Sequence, residues 1–228
     1  MNVKTLTCAI TALALAMVVS AAPEKAKKGV EKADKVTIQQ FPKLGRQSTL
    51  DAPGVNGGST IGVAWTGKPR KWIVLEAKYD TTAKWTDQLT FTWHVMLDTS
   101  TATAKDKDDR EKIAPYSYFT QTVTYYNIPR GSHAASVCLP PSYLERFGEA
   151  RVVGVVIANK DGEVVAGNTE SALPKIKSGS KFWEDETVMG AKDKKSGEPL
   201  VERRQGLLDR SKTIWALVNP NDYETVVQ

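Results

Sequence analysis

The chain has 228 residues, 41% of them hydrophobic and 25% charged, with a formal net charge of +5. A chain of this length buries a sizeable core without cross-links. Acids and bases are interleaved, as in KDKDDREK (105–112), which describes a solvated surface and gives no ground for nucleic acid as a partner.

At the N-terminus, Lys4 precedes the apolar run CAITALALAMVV (8–19), followed by the small residues Ser20, Ala21 and Ala22. The run is too short to span a bilayer, which takes roughly 20 apolar residues. The pattern predicts a signal peptide over 1–22, cleaved after Ala21 or Ala22, and a chain exported to the periplasm or beyond the cell. A lipoprotein would carry a cysteine at the cleavage point, but Cys8 lies inside the apolar run. A type IV prepilin would carry a cleavage glycine before its apolar helix, whereas here AAPEKAKKGVEKADK (21–35) follows the run as a charged linker over 23–35. Loss of the signal takes Cys8 with it, leaving Cys138 as a lone thiol and no intramolecular disulfide. Cys138 is expected to be buried and inert.

Strand-like segments follow. VTIQQF (36–41) opens, and GSTIGVAWTG (58–67) places Ile61, Val63 and Trp65 on one face. RKWIVLEAKY (70–79) and LTFTWHVML (89–97) come next, the latter with Phe91, Trp93, Val95 and Leu97 on an apolar side and Thr90, Thr92, His94 and Met96 opposite. YSYFTQTVTYYNI (116–128) is rich in aromatic and β-branched residues, which suit a pleated surface. A strand through VCL (137–139) stops at Pro140–Pro141; Ser142 and Glu145 have capping-box spacing, and Gly148 ends the short helix they begin. VVGVVIA (152–158), apolar on both faces, reads as a central strand. Asp161–Gly162 predicts a type I′ turn, with EVVAG (163–167) pairing back. Beyond it, KFWEDETVM (181–189) suggests a short helix, GAKDKKSGEP (190–199) a loop and TIWALV (213–218) a late strand or extended segment.

These elements predict an all-β fold, an antiparallel β-sandwich over 36–175 with one short inter-strand helix, and an extension over 176–228 packing on it. A βαβ arrangement would need a long helix between most strands, and the sequence has none. The strand order, with Trp93 on the third core strand, resembles an immunoglobulin-like fold over residues 58–170. It departs from antibody domains: neither RKWIVLEAKY nor VVGVVIA holds a cysteine, and VVGVVIA lacks the tyrosine of a tyrosine corner. With the signal MNVKTLTCAITALALAMVVSAAP and the hairpin RVVGVVIANKDGEVVAG, the chain is similar to secreted immunoglobulin-like accessory proteins of type-IV-pilus-like systems. That resemblance implies a protein partner in the cell envelope, or a second copy of the chain.

Catalytic spacing is not evident. His94, His133 and Cys138 form no CxxC or HxxxH arrangement for a metal. DKDD (106–109) lacks the central glycine of a calcium loop, with Ser117 where its bidentate glutamate belongs. There is no GxSxG elbow, and GVNGG (54–58) lacks the residues of a phosphate cradle. His94 and Asp98 share a strand face but lie roughly 13 Å apart on extended chain. No cofactor is expected. A carboxylate pair for glycoside hydrolysis stays open, because folding can bring any two acids together. Among the six tryptophans, Trp93 belongs to the core, whereas Trp85 and Trp183 are the candidate aromatics for stacking on a glycan. The sequence therefore points first to an exported non-catalytic protein acting by protein contact. A carbohydrate-binding protein stands second, and a secreted hydrolase third.

Overall fold

A computed structural model describes residues 35–52, 70–102 and 113–217. Several expectations fall outside them: the signal with Ala21 and Ala22, the linker up to residue 34, GVNGG, the strand 58–67 with Trp65, and KDKDDREK. The described strands are β1 (Val36–Gln40), β2 (Thr49–Asp51), β3 (Lys71–Asp98), β4 (Tyr116–Leu139), β5 (Glu149–Asn159), β6 (Val164–Ser171), β7 (Val201–Arg204) and β8 (Leu208–Asp209). The chain is all-β. Its strands join one sheet in the order β6-β5-β3-β4-β7, with β1 and β2 on β3 and β8 on β4.

The main departure from the expected strand list is that 70–79 and 89–97 are halves of one 28-residue strand. The linking DTTAKWTDQ (80–88) contains no glycine or proline to interrupt a ladder. The strand is not straight. Tyr79 and Phe91 are twelve positions apart, which is about 40 Å on extended chain, yet their ring centroids are 4.9 Å apart. β3 therefore doubles back between them, and β4 follows it in antiparallel register on both halves. The strands expected as two layers of a sandwich are thus joined in one sheet through β3 and β4, and one pairing, β4 with β7, is parallel.

Alternation explains what fills the fold. Ile73, Leu75, Ala77 and Tyr79 from one half of β3 meet Leu89, Phe91, Trp93, Val95 and Leu97 from the other in a single core. Phe119, Val123, Tyr125 and Val137 of β4 and Val153, Val155 and Ile157 of β5 complete it. Each large apolar side chain withdrawn from water contributes about 1.5–3 kcal/mol, so this pattern locks the register of the long hairpin.

Local signals held with adjustments. Helix α1 (Pro141–Phe147) begins one residue before Ser142, with Pro140 at the cap and no side-chain capping bond. The expected capping box does not form, because a proline in the first turn already supplies the helical φ. Glu145 instead pairs with Arg70 at 2.9 Å. Gly148 ends the helix at φ +82°, where a Cβ would also overlap the Asp98 carbonyl oxygen. In the β5–β6 turn only Gly162 has positive φ, so the turn is not type I′. Asn159 Oδ1 organises it, accepting from the backbone N–H of Asp161 at 3.0 Å and of Glu163 at 2.9 Å.

The C-terminal part differs most. The helix expected over 181–189 is a 3-10 turn (Phe182–Glu184) and a short helix α2 (Glu186–Met189), divided by Asp185, whose carboxylate accepts from Thr187 N–H. Residues 190–199 form a loop closed by a bridge between Lys192 and Pro199. The late strands are β7 and β8, whereas Ile214–Leu217 is a 3-10 turn and neither the strand nor the extended segment expected for TIWALV, whose Val218 lies outside the described residues. Ile176, Phe182 and Val201 pack on Met96, Tyr118 and Val152 in a second apolar cluster. That cluster covers part of the sheet's outer face.

Candidate interaction surface

Where β3 doubles back, its register slips. Thr81 lies opposite Gly131 and Trp85 opposite Pro129, so β3 advances four residues against two on β4. A bulge of this kind re-aims side chains, and Trp85 emerges 59% exposed. Beside it lies a cavity of about 330 Å³, with Asp87, Gln88 and Leu89 on one wall and Asn159, Lys160, Asp161 and Glu163 on the other. Val36 and Val165 line it between β1 and β6. Lys160 Nζ meets Asp87 Oδ2 at 3.2 Å, tying the turn to β3, and this hydrogen bond raises the lysine pKa.

Two more apolar side chains stand at this end, Val164 at 61% and Tyr126 at 40% exposure. Tyr126 is opposite Gln88, and Val164 is joined through Ala158 to Thr90. β6, where Val164 stands, is also a terminal strand of the sheet order.

The outer face of the sheet carries a buried aromatic site at its other end. His94 stacks on Trp183 with ring centroids 3.9 Å apart and planes 4° from parallel. Its Nδ1 shares a 2.7 Å hydrogen bond with the Tyr118 hydroxyl. Burial lowers the His94 pKa from 6.5 to about 4, against a smaller opposing pull from Glu184. The same desolvation raises the Tyr118 pKa. A neutral imidazole between an indole and a phenol is a packing unit.

The residues singled out in the sequence are thus dispersed. Trp85 is solvent-facing beside a cavity. Trp183 is half-buried, with one ring face against His94, so that face is closed to a sugar. Cys138 is fully buried on β4 between Val74 of β3 and Leu208 of β8. His133 Nε2 lies 2.7 Å from the Pro129 carbonyl oxygen, on a half-buried side chain. Among the described residues, no three His, Cys, Asp or Glu side chains group to hold a metal, and no helix is long and apolar enough to cross a membrane.

Sequence reasoning missed the His94–Trp183 stack and the arginines of α1 and β7. One signal for the stack was available. A glycine inside the strand VVGVVIA marks a close approach, and a Cβ on Gly154 would overlap Trp183 Cζ3.

No curated protein matches the chain. Among solved structures, it is similar to a protein from Akkermansia muciniphila known from a crystal structure. The TM-score is 0.57 and the identity 18%, over 86% of this chain and 94% of that one. At that identity the likeness concerns the fold. A protein-family model matches residues 30–227, which takes in every element described above, and the chain belongs to that family.

Proposed function

We propose that the protein is exported and non-catalytic, and acts through protein–protein contacts in a cell-envelope or pilus-like assembly. The observation that carries this reading is a set of exposed apolar side chains at this end of the sheet, Trp85 on β3, Tyr126 on β4 and Val164 on the edge strand β6. Exposed large apolar side chains along the end of a sheet, one of them on its edge strand, are what a partner covers.

One observation favours a second reading, a carbohydrate site. Trp85 offers an exposed indole beside a cavity whose walls carry Asp87, Gln88, Asn159, Asp161 and Glu163. An aromatic platform with amide and carboxylate groups suits a sugar's apolar face and hydroxyls. Affinity capture from the native envelope, run beside a glycan array, separates the two. Under the first reading, Val164→Glu cuts capture of an envelope protein at least ten-fold, and His94→Ala or His133→Ala, if folded, leaves it intact. Under the second, Trp85→Ala abolishes glycan binding while Val164→Glu leaves it unchanged. Turnover of a glycan or peptide, lost on substituting one carboxylate, would sink both.

A further inference from the structure

We propose that the sheet edge at β7, together with helix α1, takes up an extended acidic segment of a protein partner as an added strand. This rests on the protein-contact reading and gives it an edge and a partner chemistry. β7 ends its side of the sheet order, paired in parallel with β4 from Tyr116↔Val201 to Phe119↔Arg204. Among the described residues no strand flanks its other side. Such an edge presents backbone donors and acceptors that an incoming strand pairs.

Three arginines stand at this edge, in different states. Arg204 is held in place: its Nε donates to Ser117 Oγ at 3.1 Å, its Nη2 engages Glu202, and its guanidinium lies 4.6 Å from the Phe147 ring centroid. Arg146 of α1 lies over the same ring at 5.2 Å. Arg203 lies over Tyr118 at 5.5 Å. Among the described residues, neither Arg146 nor Arg203 meets a carboxylate. An aromatic ring positions a guanidinium by its face and leaves N–H groups at the rim to donate elsewhere. Between α1 and β7 is a cavity of about 360 Å³, to which Ser142, Tyr143 and Gln205 also contribute.

The chemistry selects a peptide. A guanidinium matches a carboxylate in a two-pronged hydrogen bond. Arg203 and Arg204 are successive strand residues, one reaching the Tyr118 side of the sheet and the other the Phe147 side. An added strand likewise sends successive side chains to opposite faces. A run of acidic residues would thus find positive charge on both faces while its amides pair with β7. A glycan has no main chain to use that edge.

Fluorescence anisotropy with labelled hexaglutamate tests this. The protein should bind it at low salt, more weakly as salt rises. Arg146→Glu/Arg203→Glu should bind at least ten-fold more weakly, and so should the milder Arg146→Gln/Arg203→Gln at an unchanged Tm. Lys78→Glu, an exposed change elsewhere on β3, should bind as wild type. Hexaglutamate N-methylated at alternate amides should lose at least ten-fold, because it cannot complete the strand. The proposal is overturned by absent binding, by equal binding to the double variants, by equal binding of the methylated peptide, or by sialyllactose competing as well as the peptide. Envelope capture separates the two failures. Full capture by the double variants removes this edge and leaves the protein-contact reading standing. No protein captured even by wild type removes both.

Discussion

Gly154→Ala is the smallest change that tests whether Trp183 holds the C-terminal segment onto the sheet. Gly154 lies within β5, opposite His94 on β3 and Thr169 on β6. Its φ is not positive, so the backbone itself admits any residue. The added methyl would overlap Trp183 Cζ3 and come within 3.1–3.2 Å of Cε3 and Cη2. The indole must then slide, giving up the 3.9 Å stack on His94 and its edge contact with Phe182. Overpacking of this kind costs about 1–3 kcal/mol, and alanine's smaller loss of chain entropy offsets about 0.5–1 kcal/mol. The net loss is about 1–2 kcal/mol, or a Tm lower by about 3–6 °C at this chain length. Trp183→Ala alone should cost about 2 kcal/mol, below the range for a fully buried tryptophan because the side chain is half-buried. Adding Gly154→Ala to that variant should cost nothing and recover the chain-entropy gain of about 0.5–1 kcal/mol, since the obstacle is gone. Urea unfolding of the four proteins, followed by far-UV circular dichroism, measures this coupling. An equal Gly154→Ala penalty with and without the indole would refute the slot.

The His94 environment sets a pH dependence. Its folded pKa of about 4 lies below the ordinary 6.5, so between these values the unfolded chain binds more protons. Stability should fall by on the order of 3 kcal/mol as pH drops through that window, and level off below it. A His94→Gln variant should show a flat profile there, and an equal slope in both proteins by urea titration would place the effect elsewhere. Cys138→Ser should fold but lose roughly 1 kcal/mol, the common size for a core substitution. Wild-type Cys138 should react with a thiol reagent only under denaturing conditions, and rapid native-state modification would contradict its burial. Intact-mass measurement of the exported protein should find Ala22 or Pro23 first, and retention of residues 1–20 would count against the signal reading.

Much of the β-structure was legible because alternation is a local property. Phe91, Trp93, Val95 and Leu97 repeat every second residue, and all four are fully buried. Pro140–Pro141, Gly148 and Gly162 mark real ends and turns, because they restrict or free the backbone wherever they occur. Capping and turn details were less secure: several backbone solutions satisfy the same residue types, and neighbouring chain selects among them. Trp85 drew attention by its polar setting, and the structure leaves it exposed.

By itself, then, the sequence determined that the chain is all-β, which face of 89–97 looks inward, and where α1 and the β5–β6 hairpin end. Only the tertiary structure decided that 71–98 is one strand, since a period of two reads the same in one long strand as in two short ones. The bend needs Tyr79 and Phe91 to meet across it, and β7 needs β4 already in place to pair in parallel. The same holds for function: Trp183 turns one ring face away from solvent because His94 and Gly154 make a slot for it. Arg146 of α1 and Arg204 of β7 became neighbours by sharing the Phe147 ring. Each of these contacts joins residues far apart along the chain, so local spacing holds no record of them until the long hairpin closes.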